Sequence, residues 1–128
     1  MGRQEHDARE LQLAAEAGSV RLARRAASDF AFERGVDPDA VALAVSEAVT
    51  NAVLHAYRDG PPGEIVLGLQ PSGEGIAITV ADAGSGIRPN LKSPGLGLGL
   101  ALVASLADEL AISESRLGGT ALRMRFRS

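Results

Sequence analysis

The spacing of apolar positions changes several times along the chain, and each change marks a new element. Leu11, Leu13 and Ala15 alternate with Glu10 and Gln12. A period of two with one apolar side predicts a short, half-buried strand over 9–15. Past Gly18-Ser19 the period lengthens. Val20, Ala23, Ala27, Phe30 and Ala31 then share one side of a helix running to Arg34, with Arg21, Arg24, Arg25 and Ser28 on the other. Ser19 is the expected N-cap, and Gly35 suits the left-handed position that ends a helix. Asp37-Pro38 starts a second helix, with Asp37 capping, Pro38 at the first helical position and Val36 placed to staple against Val41. That helix runs until Asp59-Gly60-Pro61-Pro62-Gly63 stops it. The period returns to two for Ile65, Leu67 and Leu69, and again for Ile76, Ile78 and Val80. Between these runs Pro71-Ser72-Gly73-Glu74-Gly75 reads as a hairpin loop, so the two strands are expected to be antiparallel neighbours. From Asp82 to Gly99 the chain is glycine-rich and irregular, and a helix is expected from about Leu98 to Glu109. Ala111 to Ser115 and Thr120 to Arg127 form a last strand pair around Arg116-Leu117-Gly118-Gly119. In the final strand Leu122, Met124 and Phe126 oppose Ala121, Arg123, Arg125 and Arg127. One face is therefore packed and the other wet.

Strands that come in runs, rather than in strict alternation with helices, favour an α+β class. The expected architecture is a two-layer sandwich, with three main helices on a mixed, mostly antiparallel sheet. Residues 1–8 are expected to be a flexible N-terminus and 9–128 a single domain.

Composition narrows the function. The 128 residues are 45% hydrophobic and 23% charged, with a net charge of −3, which is ordinary for a globular domain. No long basic run supports nucleic-acid binding. The absence of cysteine removes disulfides and thiolate metal sites. No stretch approaches the roughly 18 apolar residues of a membrane span, and the polar start lacks the apolar core of a signal peptide. A cytoplasmic location is expected.

Three features could carry chemistry. On the central helix, Glu47, Asn51 and His55 follow one another at four-residue spacing, each step rotating by roughly 40° to give one slanted row. A carboxylate one turn from a carboxamide can orient a nucleophile and offer an oxygen to Mg²⁺, although solvated surface residues would look the same. Asp82-Ala83-Gly84-Ser85-Gly86-Ile87 follows a strand directly. There an Asp can accept a hydrogen bond from an exocyclic amine while the glycine backbone passes close to a ring, or the run is a simple turn. Gly95-Leu96-Gly97-Leu98-Gly99 opens a helix, where backbone N–H groups can meet phosphate oxygens. Other phosphate motifs fail: Lys92 has no preceding glycine, as a P-loop would need, and the dinucleotide pattern meets Leu at its last place. His6 and His55 make no metal site.

In chain order, these three features and the closing Gly118-Gly119-Thr120 resemble the ATP-binding boxes of the GHKL superfamily, whose domain is the Bergerat-type ATP-binding fold. Ser46 to Tyr57, reading Ser-Glu-Ala-Val-Thr-Asn-Ala-Val-Leu-His-Ala-Tyr, is similar to the N box of the anti-sigma regulatory factors, which are serine/threonine kinases. The resemblance runs from the first strand to Phe126. It implies Glu47 as general base and Asn51 as the Mg²⁺ ligand. It implies that Asp82 hydrogen-bonds the adenine amine, with Gly84, Gly86 and Ile87 lining its approach. Gly95, Leu96, Gly97, Leu98 and Gly99 would line the phosphates, and Thr120 would support the adenine contact through water. Arg24 falls where such proteins meet their partners. The implied function is an ATP-dependent anti-sigma factor that binds a sigma factor and phosphorylates an anti-sigma-factor antagonist. A nucleotide-responsive binding module without phosphotransfer, or a detached histidine-kinase-like catalytic domain, would share the same site. The family often forms homodimers through the sheet. Two departures stand out. The lid, Arg88 to Pro94, is very short, and no phosphoacceptor-histidine helix precedes the first strand, so a complete sensor histidine kinase is not expected.

Overall fold

Five strands and three helices form in the order β1 (Arg9–Ala14), α1 (Ala17–Glu33), α2 (Pro38–Asn51), β2 (Glu64–Ser72), β3 (Gly75–Asp82), α3 (Leu96–Leu106), β4 (Glu109–Glu114) and β5 (Thr120–Phe126). The computed structural model describes residues 7–56, 63–84 and 96–128, with backbone alone at 55–56 and 96–99. The strands make one sheet in the order β1-β2-β3-β5-β4, and every neighbouring pair is antiparallel. The expected α+β sandwich with a mostly antiparallel sheet is what forms.

The register puts Leu11, Leu67, Val80 and Leu122 in one row across the sheet, and Leu69, Ile78 and Met124 in the next. These side chains share the face that the helices cover. Phe30 and Val41, Val45 and Val49 come down on it from α1 and α2, and Val103 from α3; all are fully buried. Each such side chain contributes about 1.5–3 kcal/mol by leaving water. The opposite face carries Glu10, Gln12, Gln70 and Arg123, all exposed.

The helix ends follow their local chemistry. At the end of α1, Gly35 has φ +71°. Its N–H donates to Phe32 O and that of Val36 to Ala31 O, the paired bonds of a Schellman cap. Asp37 Oδ1 then accepts from the N–H groups of Asp39 and Ala40, and Pro38 occupies the first turn of α2. Arg34 lies 3.7 Å from the centre of the Phe30 ring, and Arg9 on β1 reaches Glu33 at 3.0 Å. Arg9, which also lies 5.5 Å from the Phe30 ring centre, ties the end of α1 to the edge strand.

Four expectations change. Ser19 is not a cap: α1 starts at Ala17 after an extended Glu16, and Ser19 is buried on the packed stripe with Ala23 and Ala27. A small polar residue there serves as a small core residue. The hairpin loop shrinks to Gly73-Glu74, with Pro71 and Ser72 inside β2. Pro71 is tolerated because β1 ends opposite Leu69, which leaves that side of β2 as an edge. α3 spans Leu96–Leu106 rather than Leu98 to Glu109. It stops early because Asp108 is already bonded to the end of β5: its N–H donates to Arg125 O, and its carboxylate accepts from Arg127 N–H. Finally, α2 passes into a π-helical turn, Ala52–Ala56. The α-helical spacing that joins Glu47 to Asn51 therefore ends at Asn51. The turn expected at 59–62 and the lid at 88–94 lie outside the described residues.

Candidate functional site

Asp82 is the last residue of β3. Strand alternation puts its side chain on the helix-covered side, with Ile76, Ile78 and Val80. It is 7% exposed, unusual burial for a carboxylate. Compensation comes from the backbone. Oδ1 accepts from Gly84 N–H at 3.0 Å and from Thr120 N–H at 3.2 Å. Two of the expected site positions, from segments far apart in sequence, thus meet on one oxygen. Among the described residues no donor reaches Oδ2.

Gly119, just before Thr120, makes this meeting possible. A Cβ there would overlap Asp82 Oδ1 and lie 2.8 Å from Gly84 N. In the sequence the only sign of this glycine's role is the pair Gly118-Gly119 ahead of Thr120.

The second wall is α2, which packs with its π turn against β3. Val41, Ala44, Val45, Ala48 and Val49 form its buried stripe. Glu47 and Asn51 flank that stripe, both half-buried. Asn51 Nδ2 is buried and has no hydrogen-bond partner among the described residues. Leaving such a group unsatisfied costs about 1–3 kcal/mol, so the amide suits a ligand oxygen. Turned over, the same amide offers its oxygen to a cation, since the two ends are assigned rather than seen. Among the described residues no three His, Cys, Asp or Glu side chains cluster as a metal cage.

Leu96, Gly97, Leu98 and Gly99 form the first turn of α3, which packs beside α2. Their N–H groups belong to a helix N-terminus, as a phosphate site requires. Gly86, Ile87 and Gly95 lie outside the described residues. Arg24 stands apart from these groups. With Arg21, Arg25, Ser28, Asp29 and Ala42 it lines a surface hollow of about 350 Å³ between α1 and α2.

Residues 13–126 match the histidine kinase-like ATPase domain family. The chain belongs to that family. As a histidine kinase-like ATPase domain it is an ATP-binding unit, and its relatives carry more specific names. The serine-protein kinase RsbW of Oceanobacillus iheyensis is 32% identical over 126 residues, covering 84% of this chain and 80% of that protein. The anti-sigma F factor of Heyndrickxia coagulans is 30% identical over 95 residues, covering 63% of each. Among solved structures, one containing the RsbU and RsbW domains of a Mycobacterium tuberculosis protein matches with a TM-score of 0.70 and 27% identity. That match covers 94% of this chain and 32% of the other. The chain thus spans under two thirds of the length of the Heyndrickxia relative and about a third of the mycobacterial chain.

Proposed function

We propose that this ATPase domain is an ATP-dependent anti-sigma factor with serine/threonine kinase activity. It holds a sigma factor and phosphorylates a serine or threonine of an antagonist protein in the cytoplasm. The observation that carries the reading is the Glu47/Asn51 pair, in which the buried Asn51 Nδ2 has no hydrogen-bond partner among the described residues.

In this reading Asp82 accepts from the 6-amino group of adenine through Oδ2, and Thr120 supports the same side. Gly84, Gly86 and Ile87 line the ring, and Gly95 to Gly99 present backbone N–H groups to the phosphates. Asn51 would hold Mg²⁺, whose chemistry is to neutralise charge on the phosphate oxygens. Glu47 takes the proton from the acceptor hydroxyl as its oxygen bonds to the γ-phosphorus. The bond from that phosphorus to the β–γ bridging oxygen breaks, and ADP leaves. Catalysis is mostly positioning and charge neutralisation, as expected for phosphoryl transfer. Arg24 and its neighbours offer a cationic surface for a protein partner. A homodimer through the open sheet face fits the family habit.

The test is transfer itself. The protein is incubated with γ-labelled ATP, Mg²⁺ and candidate antagonist proteins. Label on an antagonist serine or threonine is the expected result. Tight ATP binding with no label on any antagonist would leave a nucleotide-responsive binding module instead.

A further inference from the structure

The Asp82 carboxylate is held through the β4–β5 turn, in which Ser115 has no place in the site motifs. Its Oδ1 is gripped by Thr120 N–H, and Thr120 is placed by the β4–β5 turn. That turn is built on Ser115, which is buried at 7% exposure. Ser115 N–H donates to Gly119 O at 2.8 Å, and Ser115 O accepts from Gly118 N–H at 3.0 Å. Ser115 Oγ accepts from Leu117 N–H at 3.0 Å. One serine thus closes the loop at three points. Gly118, at φ +97°, turns the chain so that the bare Cα of Gly119 can lie against the carboxylate.

We infer that Ser115 and Gly119 are positioning residues that set base selectivity, by fixing which oxygen of Asp82 faces the nucleotide. The inference rests on the ATP-site reading above and deepens it. With two N–H donors on Oδ1, that position accepts only an acceptor atom. Oδ2 is left to face the ligand and can only accept, so the pocket selects a base that donates there. A freely rotating carboxylate would spread its acceptor over several directions and recognise the amine less well. A site built to pair a polar group rejects the analogue lacking it far more strongly than a loose apolar pocket does.

The same grip predicts what a carboxamide would do. In Asp82→Asn the two N–H donors still demand an oxygen at Oδ1, so the amide nitrogen must take the outward position and donate. Preference should move from a 6-amino purine toward a 6-oxo purine.

The experiment is titration calorimetry of wild type, Gly119→Ala, Ser115→Ala, Ser115→Thr and Asp82→Asn. The ligands are ATP, inosine triphosphate and purine riboside triphosphate, which lacks the 6-amino group. Circular dichroism and thermal melts report folding of each variant. Wild type should prefer ATP to the purine riboside by about tenfold or more, the worth of one well-placed hydrogen bond. Gly119→Ala should lose most of that preference while folded. Ser115→Ala should lose part of it, Ser115→Thr should restore it, and Asp82→Asn should bring the ATP-to-inosine ratio to parity or below. Should Gly119→Ala fail to fold, the Ser115 pair and Asp82→Asn decide. Unchanged selectivity in folded Gly119→Ala or Ser115→Ala overturns the inference, as does Asp82→Asn binding neither base. Wild type that binds no nucleotide would instead overturn the ATP-site reading, so the two failures are distinguishable.

Discussion

In the proposed mechanism Glu47 and Asn51, one turn apart on α2, would carry separable work, Asn51 in binding and Glu47 in transfer. Among the described residues, Asn51 Nδ2 is the buried side-chain group with an unmet hydrogen-bonding demand. Asn51→Ala should weaken Mg-ATP binding by about tenfold or more, with less effect on binding measured in chelator. Calorimetry with and without Mg²⁺ checks this, and equal losses in both would remove the cation from the assignment. Glu47→Ala should keep nucleotide affinity near wild type while slowing transfer by roughly 10²–10⁴-fold, the usual worth of a general base. Single-turnover transfer at saturating ATP is the measurement, and an unchanged rate would strike Glu47 from the role. The residues of this site were legible in the sequence where chemistry is local, as in the Glu-x-x-x-Asn spacing on a helix. Gly119 was not, because its reason lies in Asp82, more than thirty residues upstream. Ser19 misled for another reason. Serine is both a good cap and a small core residue, and only the packing of α1 tells which.

At the scale of elements, the joint between α1 and α2 is set by four residues in a row. Gly35 takes the left-handed turn, Val36 is buried, Asp37 caps and Pro38 begins the next helix. Asp37→Ala should cost about 1 kcal/mol, since two backbone donors lose their acceptor. Gly35→Ala should cost a further ~1–2 kcal/mol for forcing a Cβ into the left-handed region. Urea melts of the single and double variants measure both. The four residues share one short joint, so any departure from additivity reports coupling within it. This joint was readable from sequence because every signal in it is local. The α3–β4 boundary was not: Leu106 to Glu109 continues a helical pattern, and only the bonds from Asp108 to β5 pull the chain into the sheet. The position of the hairpin turn is legible in the sequence but its length is not, since Pro71 reads as a breaker although β1 stops short of it.

For the whole molecule, nucleotide should act as a staple between layers. The proposed ligand would touch β3 and β5 through Asp82 and Thr120, and the helix layer through α2 and α3. Binding that requires both layers in place stabilises the fold by mass action, by about 2.7 kcal/mol at ligand a hundredfold above Kd. ATP should therefore raise the melting temperature of wild type and leave that of Asp82→Ala unmoved. A shift of equal size in both would place ATP elsewhere. The order of strands in the sheet bears on how such a molecule assembles. β2–β3 and β4–β5 are hairpins joined by short turns, whereas pairing β1 with β2 must close the long path from Leu11 to Leu67 through two helices. Loop closure of that length is slow to repay its entropy, so the hairpins should form early and β1 should dock late. Chevron plots can resolve the order. Gly73→Ala, which strains the β2–β3 turn at φ +59°, should chiefly slow folding. Leu13→Ala should chiefly speed unfolding. If Leu13→Ala instead slows folding in proportion to its destabilisation, β1 belongs to the nucleus. With β1 last to arrive, the first event of unfolding would be the peeling of this edge strand, at the opposite side of the sheet from β5 and its hold on Asp82.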